Sequence, residues 1–304
     1  MESGVSNRPT RDRPLALLVN PASGGGRTAA KLPRVEEELD KRRAVFRVER
    51  TRDAGHAVAE ALRAADAGEV PVVMSGDGLI AIVGGALAGT PTPLGIVPGG
   101  RGNDLARVLG IPSDPAGAVT VLTTGRERRV DVGEANGRRF LGVASVGFDS
   151  DANRIANETR LVRGNLVYAY AALRALLGWK HARFTIAVGE ERMRFTGYTV
   201  AVANSKAYGG GMFIAPDADL GDGEFDVVMC GESGKLHFVR NLPKVFKGTH
   251  VDQEEIRIFR TSHLEVSASR PFAMYADGER LTDLPARLRV LPDALSVIVP
   301  ATGA

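Results

Sequence analysis

Between Leu15 and about Pro112 the chain alternates short apolar runs, LALLVN, AVFRVER, VPVVM and PLGIVP, with longer segments whose apolar residues recur at helical spacing. Strand-like runs separated by helices predict a parallel sheet covered by helices. Glycine-rich turns follow three of the runs: NPASGGGR, SGDG and PGGRGND. Such turns all leave the carboxyl ends of their strands, so distant pieces of sequence are expected to converge on one crevice, where open α/β sheets hold ligands. In VVMSGDGLIAIVGG, from position 72, a buried strand ending at Met74 is expected to deliver Asp77 to that edge in a Gly-Asp-Gly turn. Gly76 and Gly78 would let backbone and ligand approach closely.

Beyond Asp114 the texture changes. VTVLTTGRERRVDVGEANGRRFLGVASVGF reads as two extended runs about a glycine-containing turn, a hairpin pattern. A helical stretch from Asn165 to Trp179 follows. The pieces ARFTIAVG, MRFTGYTVAVAN, EFDVVMC, EIRIFR, HLEVSAS, FAMYADGE, ARLRVL and LSVIVP then predict a mainly antiparallel β region. The expectation is an α/β domain followed by a β-rich one, without internal repeats or low-complexity tracts.

Composition sharpens this picture only in part. The 304 residues, 44% hydrophobic and 25% charged, suffice for two cores of ordinary size. A net charge of +3 is too small to predict a nucleic-acid partner, but suits anionic phosphates or an anionic membrane surface. Cys230 stands alone, which rules out an internal disulfide, fits a reducing compartment, and reads as a small buried residue at a strand end. The polar start MESGVSNRPTRDR reads as a tail rather than a leader, and no run reaches the roughly 20 apolar residues of a membrane span. A cytoplasmic protein with at most peripheral membrane contact is expected. His56, His181, His237, His250 and His263 lack ligand spacing, so zinc chemistry is not expected.

Four stretches carry candidate chemistry. VNPASGGGRTAAK places strand, glycine-rich loop and helix start in order, so free amides with Arg27 and Lys31 suit an anion. It lacks the GK[ST] ending of a Walker loop, and a structural tight turn fits it equally. PGGRGNDLARVLGI puts Asn103 and Asp104 where a helix should begin; capping accounts for one, and both beside two glycines and Arg101 favour a nucleotide role. APDADLGDGEFDVV clusters Asp217, Asp219, Asp222, Glu224 and Asp226, either as oxygen ligands for a hard cation such as Mg²⁺ or as a solvated hairpin turn. FAMYADGERL sets Asp277 and Glu279 across a glycine, either as a pair able to serve as general base or as a surface turn. Two apolar segments stay open as well. SGKLHFVRNLPKVFKGTH fits an anionic membrane surface or a helix packed on the β domain and interrupted at Pro243, and NLVYAYAALRALLGW fits an acyl pocket or plain core.

Taken in order, NPASG, SGDG, GND, YGGGMFIAPDADLGDGEFDV and the late DGE resemble the bacterial diacylglycerol kinase-like lipid kinases, a family that also includes sphingosine and ceramide kinases. NAD kinases share the GGDGT element and the general architecture, while the long YGGGM…APDA…DG stretch favours the lipid enzymes. The resemblance implies an amino-terminal three-layer α/β nucleotide domain and a carboxy-terminal β-sandwich with the active site between them. It implies a tail over 1–13, an ATP-binding domain over 14–130 joined by a returning segment at about 285–304, and a lipid-acceptor domain over 131–284.

By resemblance, Asn20, Pro21, Ser23 and Gly24 would lie along the ATP phosphates with Thr51 nearby, and Gly76, Asp77 and Gly78 would meet the nucleotide and its catalytic Mg²⁺. Asn103 and Asp104 would support that site, and Asp131 matches a position in its polar network. A structural Mg²⁺ would sit on Asp222, helped by the carbonyls of Asp219 and Glu224. Glu279 matches the base for the lipid hydroxyl, with Asp277 orienting it or binding metal. The implied activity is ATP- and Mg²⁺-dependent phosphorylation of a lipid, diacylglycerol to phosphatidic acid, at a membrane surface, with a homodimer as a further expectation. The chain departs from the pattern at Leu79, where the family has Thr, at Ala81 and Ile82, where it has Asn-Glu, at Arg101, where a threonine often stands, and at Gly25, where some relatives keep a lysine. Arg101 is expected to supply phosphate charge. Another acceptor, such as a sphingoid base, another glycerolipid or NAD, and an inactive nucleotide- or lipid-binding relative are the competing expectations.

Overall fold

The computed structural model describes residues 13–158, 174–176 and 178–301. The tail before Arg13 and most of the stretch from Asn165 to Trp179, with its acyl-pocket reading, therefore lie outside the described residues. Contacts divide the chain into two compact units, 1–132 with 291–304 and 133–290.

The first unit is built on a parallel sheet of β1 (Leu15–Val19), β2 (Phe46–Arg50), β3 (Val70–Ser75) and β4 (Gly95–Pro98) in the order β2-β1-β3-β4. Leu17 stands between Val48 and Val72 in register. Every residue of β1, β3 and β4 is buried, as expected of strands covered on both faces. Helices α1 (Arg27–Lys41) and α5 (Pro115–Thr124) pack together, as do α2 (Ala54–Asp66) and α3 (Asp77–Leu87). A short α4 spans Asp104–Val108.

Two local expectations need correction. VTVLTT is helical rather than extended: Asp114 accepts the Gly117 amide at 2.8 Å, Pro115 opens the first turn, and Ala118, Val119, Val121 and Leu122 are buried. Capping and burial of one helix face outweigh the β preference of its branched residues. The Gly-Asp-Gly segment is likewise not a turn, because α3 begins at Asp77 itself with Gly76 as its N-cap.

Unit two is mainly antiparallel. Its elements are β6 (Arg138–Phe140), β7 (Val143–Gly147), α6 (Phe148–Glu158), β8 (Ala182–Val188), β9 (Glu191–Ala203), β10 (Phe225–Gly231), α7 (Lys235–Val245), β11 (Ile256–Thr261), β12 (His263–Ala268), β13 (Ala273–Ala276) and β14 (Glu279–Asp283). Two strands, β5 (Arg126–Ala135) and β15 (Ala286–Val299), belong partly to each unit by sequence. The sheet runs β14-β13-β7-β9-β8-β12-β15-β5-β6, with β10 joining β9 to β11. The first half of β9 pairs with β8 and the second with β7 and β10, so one strand changes partners along its length. Such switching lets a sheet fold over its own core in a sandwich-like way. That core holds Phe140, Phe184, Tyr198 and Phe225, with Phe140 stacked on Phe225 at 5.8 Å. ARLRVL and LSVIVP, read as separate strands, form the single β15, within which Asp293 takes a φ of 50°.

Candidate functional site

Within unit one the three glycine-rich loops meet at the carboxyl ends of β1, β3 and β4. A Cβ on Gly24, whose φ is +63°, would lie 2.5 Å from the Gly99 carbonyl oxygen, and one on Gly100 would lie 2.5 Å from the Gly76 Cα. Side chains there are excluded by sub-van-der-Waals contact, so glycine is what permits the convergence. Thr28 ties two loops by donating its hydroxyl to the carbonyls of Gly99 (3.0 Å) and Ser23 (3.3 Å). Ser23 Oγ lies 3.4 Å from the point a Gly76 Cβ would occupy.

The other nucleotide-loop candidates cluster around this junction. Asn20 accepts the Ala22 amide at 3.1 Å, its own amide donates to Met74, Pro21 is exposed, and Thr51 donates both amide and hydroxyl to the Val19 carbonyl. Asn103, in left-handed conformation at φ 53°, does not cap α4 with its side chain. It closes the PGGRGN loop, accepting the Gly100 amide at 2.8 Å and donating to the Gly100 carbonyl at 3.2 Å. The cations divide differently from expectation. Lys31 donates to the carbonyls of Pro98 (3.3 Å) and Ser113 (2.9 Å) and Arg27 to that of Gly24, whereas Arg101 is exposed with a guanidinium nitrogen 3.8 Å from the point a Gly25 Cβ would occupy.

Asp77 sits in the first turn of α3, and its Oδ1 accepts the Leu105 amide at 3.2 Å. Burial first, and the Asp104 charge second, push its carboxyl above the usual range, against the pull of backbone amides at Leu105, Asn103 and Asp104. Asp104 is buried and paired with Arg107. Asp77, pushed up beside the Arg107-paired carboxylate of Asp104, offers a hard oxygen of the kind a divalent cation takes. Of the departing residues, Leu79 is half-buried, Ala81 is buried and Ile82 is exposed on α3. Asp131, fully buried, accepts the Asp293 amide at 2.7 Å and so holds the left-handed residue of β15.

In unit two, ADGE forms a two-residue hairpin between β13 and β14: Asp277 and Gly278 both have positive φ, 53° and 86°, and Ala276 pairs with Glu279. This is the Asp-Gly turn that suits the strand twist. The two carboxylates part company there. Asp277 accepts the amides of Leu141 (2.9 Å) and Gly142 (3.0 Å), and a Cβ on Gly142 would meet it at 2.3 Å, while Glu279 is exposed. Asp277 therefore fixes the turn that presents Glu279.

The acidic stretch is organised by turns and one arginine. Asp219 accepts the Gly221 amide and Asp222 the Glu224 amide, each at 3.0 Å. Arg260 of β11 pairs with Asp222, with Glu224 at 3.2 Å, and with Asp226 at 3.8 Å. Burial and the neighbouring acids still push the Asp226 carboxyl up despite Arg260. A hard-oxygen set short of positive charge fits Mg²⁺, with Asp222 shared with Arg260.

Other groups were invisible in sequence. Tyr208 donates to Asp149 at 2.7 Å, and burial pushes both groups up. YGGG marked the neighbourhood of Tyr208, but nothing marked Asp149. Glu49, His56 and Glu60 bring potential ligand atoms within 4.8 Å of one another. Arg47 and Arg63 already pair with Glu60, however, and the Arg52 amide donates to His56 Nδ1, so the group is an ion network. Cys230 lies half-buried near the end of β10, its thiol pushed up to about 12, chiefly by burial.

Residues 14–135 match the family described as the diacylglycerol kinase catalytic domain, and residues 142–299 the YegS C-terminal NAD kinase beta sandwich-like domain. A diacylglycerol kinase of Mycobacterium tuberculosis is 35% identical over 302 residues, covering 95% of this chain and 96% of its own. One from Bacillus subtilis strain 168 is 28% identical over 82% of each chain. A crystal structure of a diacylglycerol kinase from Bacillus anthracis strain Sterne superposes with a TM-score of 0.74 at 19% identity, over 96% of this chain and 98% of that one; that likeness concerns the fold.

Proposed function

Because the chain belongs to the diacylglycerol kinase-like lipid kinase family, we propose that it transfers the γ-phosphoryl group of ATP to a lipid hydroxyl, converting diacylglycerol to phosphatidic acid. The observation that carries this reading is the junction of three glycine-rich loops beside the half-buried Asp77, whose carboxyl is pushed up by desolvation and by the Asp104 charge. Phosphoryl transfer through a loose transition state asks a protein mainly to align reactants and offset negative charge. Asn20, Pro21, Ser23, Gly24, Thr51, Gly76 and Gly78 line the triphosphate, Arg101 adds positive charge, and Asn103 and Asp104 keep the third loop in shape. The lipid hydroxyl oxygen bonds to the γ-phosphorus as Glu279 takes its proton, the bond from that phosphorus to the bridging oxygen breaks, and ADP leaves. Asp277 orients Glu279 through the hairpin turn.

Asp77 would hold a Mg²⁺ at the nucleotide, and Asp222 with the carbonyls of Asp219 and Glu224 would hold a structural one; the ions would supply charge neutralisation and rigidity. In this reading the protein is cytoplasmic and meets its acceptor at a membrane surface.

Incubation with γ-labelled ATP and a panel of diacylglycerol, sphingosine, monoacylglycerol and NAD tests the reading. Label is expected in phosphatidic acid, with a drop of about 10² or more in Glu279→Gln. Label in another acceptor alone would replace the substrate. ATP binding without transfer would favour the inactive relative suggested by Leu79, Ala81 and Ile82.

A further inference from the structure

We propose that the outward face of α7 is the surface by which this protein docks on an anionic phospholipid bilayer. The inference rests on the lipid-kinase reading for its purpose but not for its geometry.

Among the described residues, Leu236 (82%), Phe246 (53%) and Val239 (42%) are large apolar side chains strongly exposed along this one short segment. At helical spacing, Leu236, Val239, Pro243 and Phe246 fall on one side, and all four are exposed. Between Lys235 and Lys247 the sequence has four Lys or Arg and no Asp or Glu, more positive charge than the net +3 of the whole chain. Lys235, Arg240 and Lys247 are exposed around the apolar strip, and Lys244 is bonded to the neutral Gln253 at 2.8 Å.

The opposite side of the helix is fastened to the unit-two core. Phe238 stacks on the buried Tyr198 at 4.2 Å and meets Phe148 edge-on at 5.0 Å. His237 and Asn241 hold Glu255, at 2.7 and 3.3 Å, and the Val245 carbonyl accepts the Phe213 amide at 2.9 Å. The apolar strip is thus held outward. The helix packs on the unit-two core only through its Phe238 side, and no residue of α7 is fully buried. Apolar side chains flanked by cations, with no acid inside the segment and Glu255 held on its inner side by His237 and Asn241, match an interface of acyl chains beneath anionic headgroups. Charge complementarity decides for lipid over a second copy of this chain, whose same face would bring like charges together.

The test is co-sedimentation of the full chain, without nucleotide, with phosphatidylcholine vesicles containing or lacking phosphatidylglycerol. Binding is expected only with phosphatidylglycerol, and is expected to weaken with salt. Arg240→Glu with Lys247→Glu should lower partition by at least about 25-fold, roughly fivefold for each cation removed. Leu236→Ser with Phe246→Ser should lower it comparably while leaving the melting temperature unchanged. Both variants should phosphorylate a monomeric short-chain diacylglycerol like the parent and lose turnover on vesicles. Equal partition of parent and variants, no vesicle binding by the parent, or variants that turn a parent dimer into monomers would each overturn the proposal. If the parent binds vesicles through these residues but transfers no phosphate, the docking surface stands and the kinase reading falls.

Discussion

The role proposed for Asp77 would set function against stability. Its folded-state pKa lies above the unfolded value, so its favourable contribution is fully present below the unfolded pKa and is lost as pH rises through the folded one. At neutral pH the ionised carboxylate is a cost. Asp77→Asn keeps an oxygen for the Leu105 amide and removes the charge facing Asp104. In EDTA at pH 7 the variant is expected to melt above the parent, with the gap narrowing as pH falls through the ordinary carboxyl range. Phosphotransfer should fall by on the order of 10²-fold or more. A melting temperature equal to or below that of the parent would show that the uncompensated charge does not weigh on folding. Asp277 works the other way: two backbone amides fix it, so its carboxylate serves the hairpin and Glu279 faces solvent.

At the level of elements, the loops after β1, β3 and β4 depend on contact between backbones. Gly100→Ala places a methyl carbon 2.5 Å from the Gly76 Cα and 3.0 Å from Asn103 Oδ1, both on structures that cannot swing away cheaply. Overpacking of this kind costs about 1–3 kcal/mol. The variant should lose several degrees of thermal stability and raise KM for ATP more than it lowers kcat. An unchanged KM would mean that the third loop lies outside the nucleotide site. The same scale explains why α5 is a helix where its sequence alternation predicts a strand. Sequence alternation in VTVLTT resembled a strand, whereas the Asp114 cap and four buried side chains on one face made a helix.

At the scale of the whole molecule, the returning strand β15 adds its last residues to the core of unit one. Leu295, Val297 and Ile298 are fully buried, Val299 nearly so, and backbone bonds join Leu94 to Ser296 and Ile298 at 2.8 and 3.0 Å. Burying each of these side chains is worth about 1.5–3 kcal/mol, so together they approach the entire stability of a typical domain. Truncation after Val290 should therefore unfold unit one, seen as fast amide exchange throughout β1 and β3 and loss of ATP binding. Protection in β1 equal to that of the full chain would show that the returning strand is dispensable.

The alternation of apolar runs and helical spacing determined the parallel sheet, and the placement of glycines determined which loops gather at its edge, because both follow from local periodicity and backbone sterics. Periodicity could not register what each polar group meets. Arg260 lies far along the chain from Asp222, Asp149 far from Tyr208, and Leu141 far from Asp277, so the pairing of the acids with one arginine and the parting of Asp277 from Glu279 arose only when the strands paired. For α7 the sequence held both the cations and the apolar residues. Only the tertiary structure, by fastening Phe238 to Tyr198, decided which side faces out.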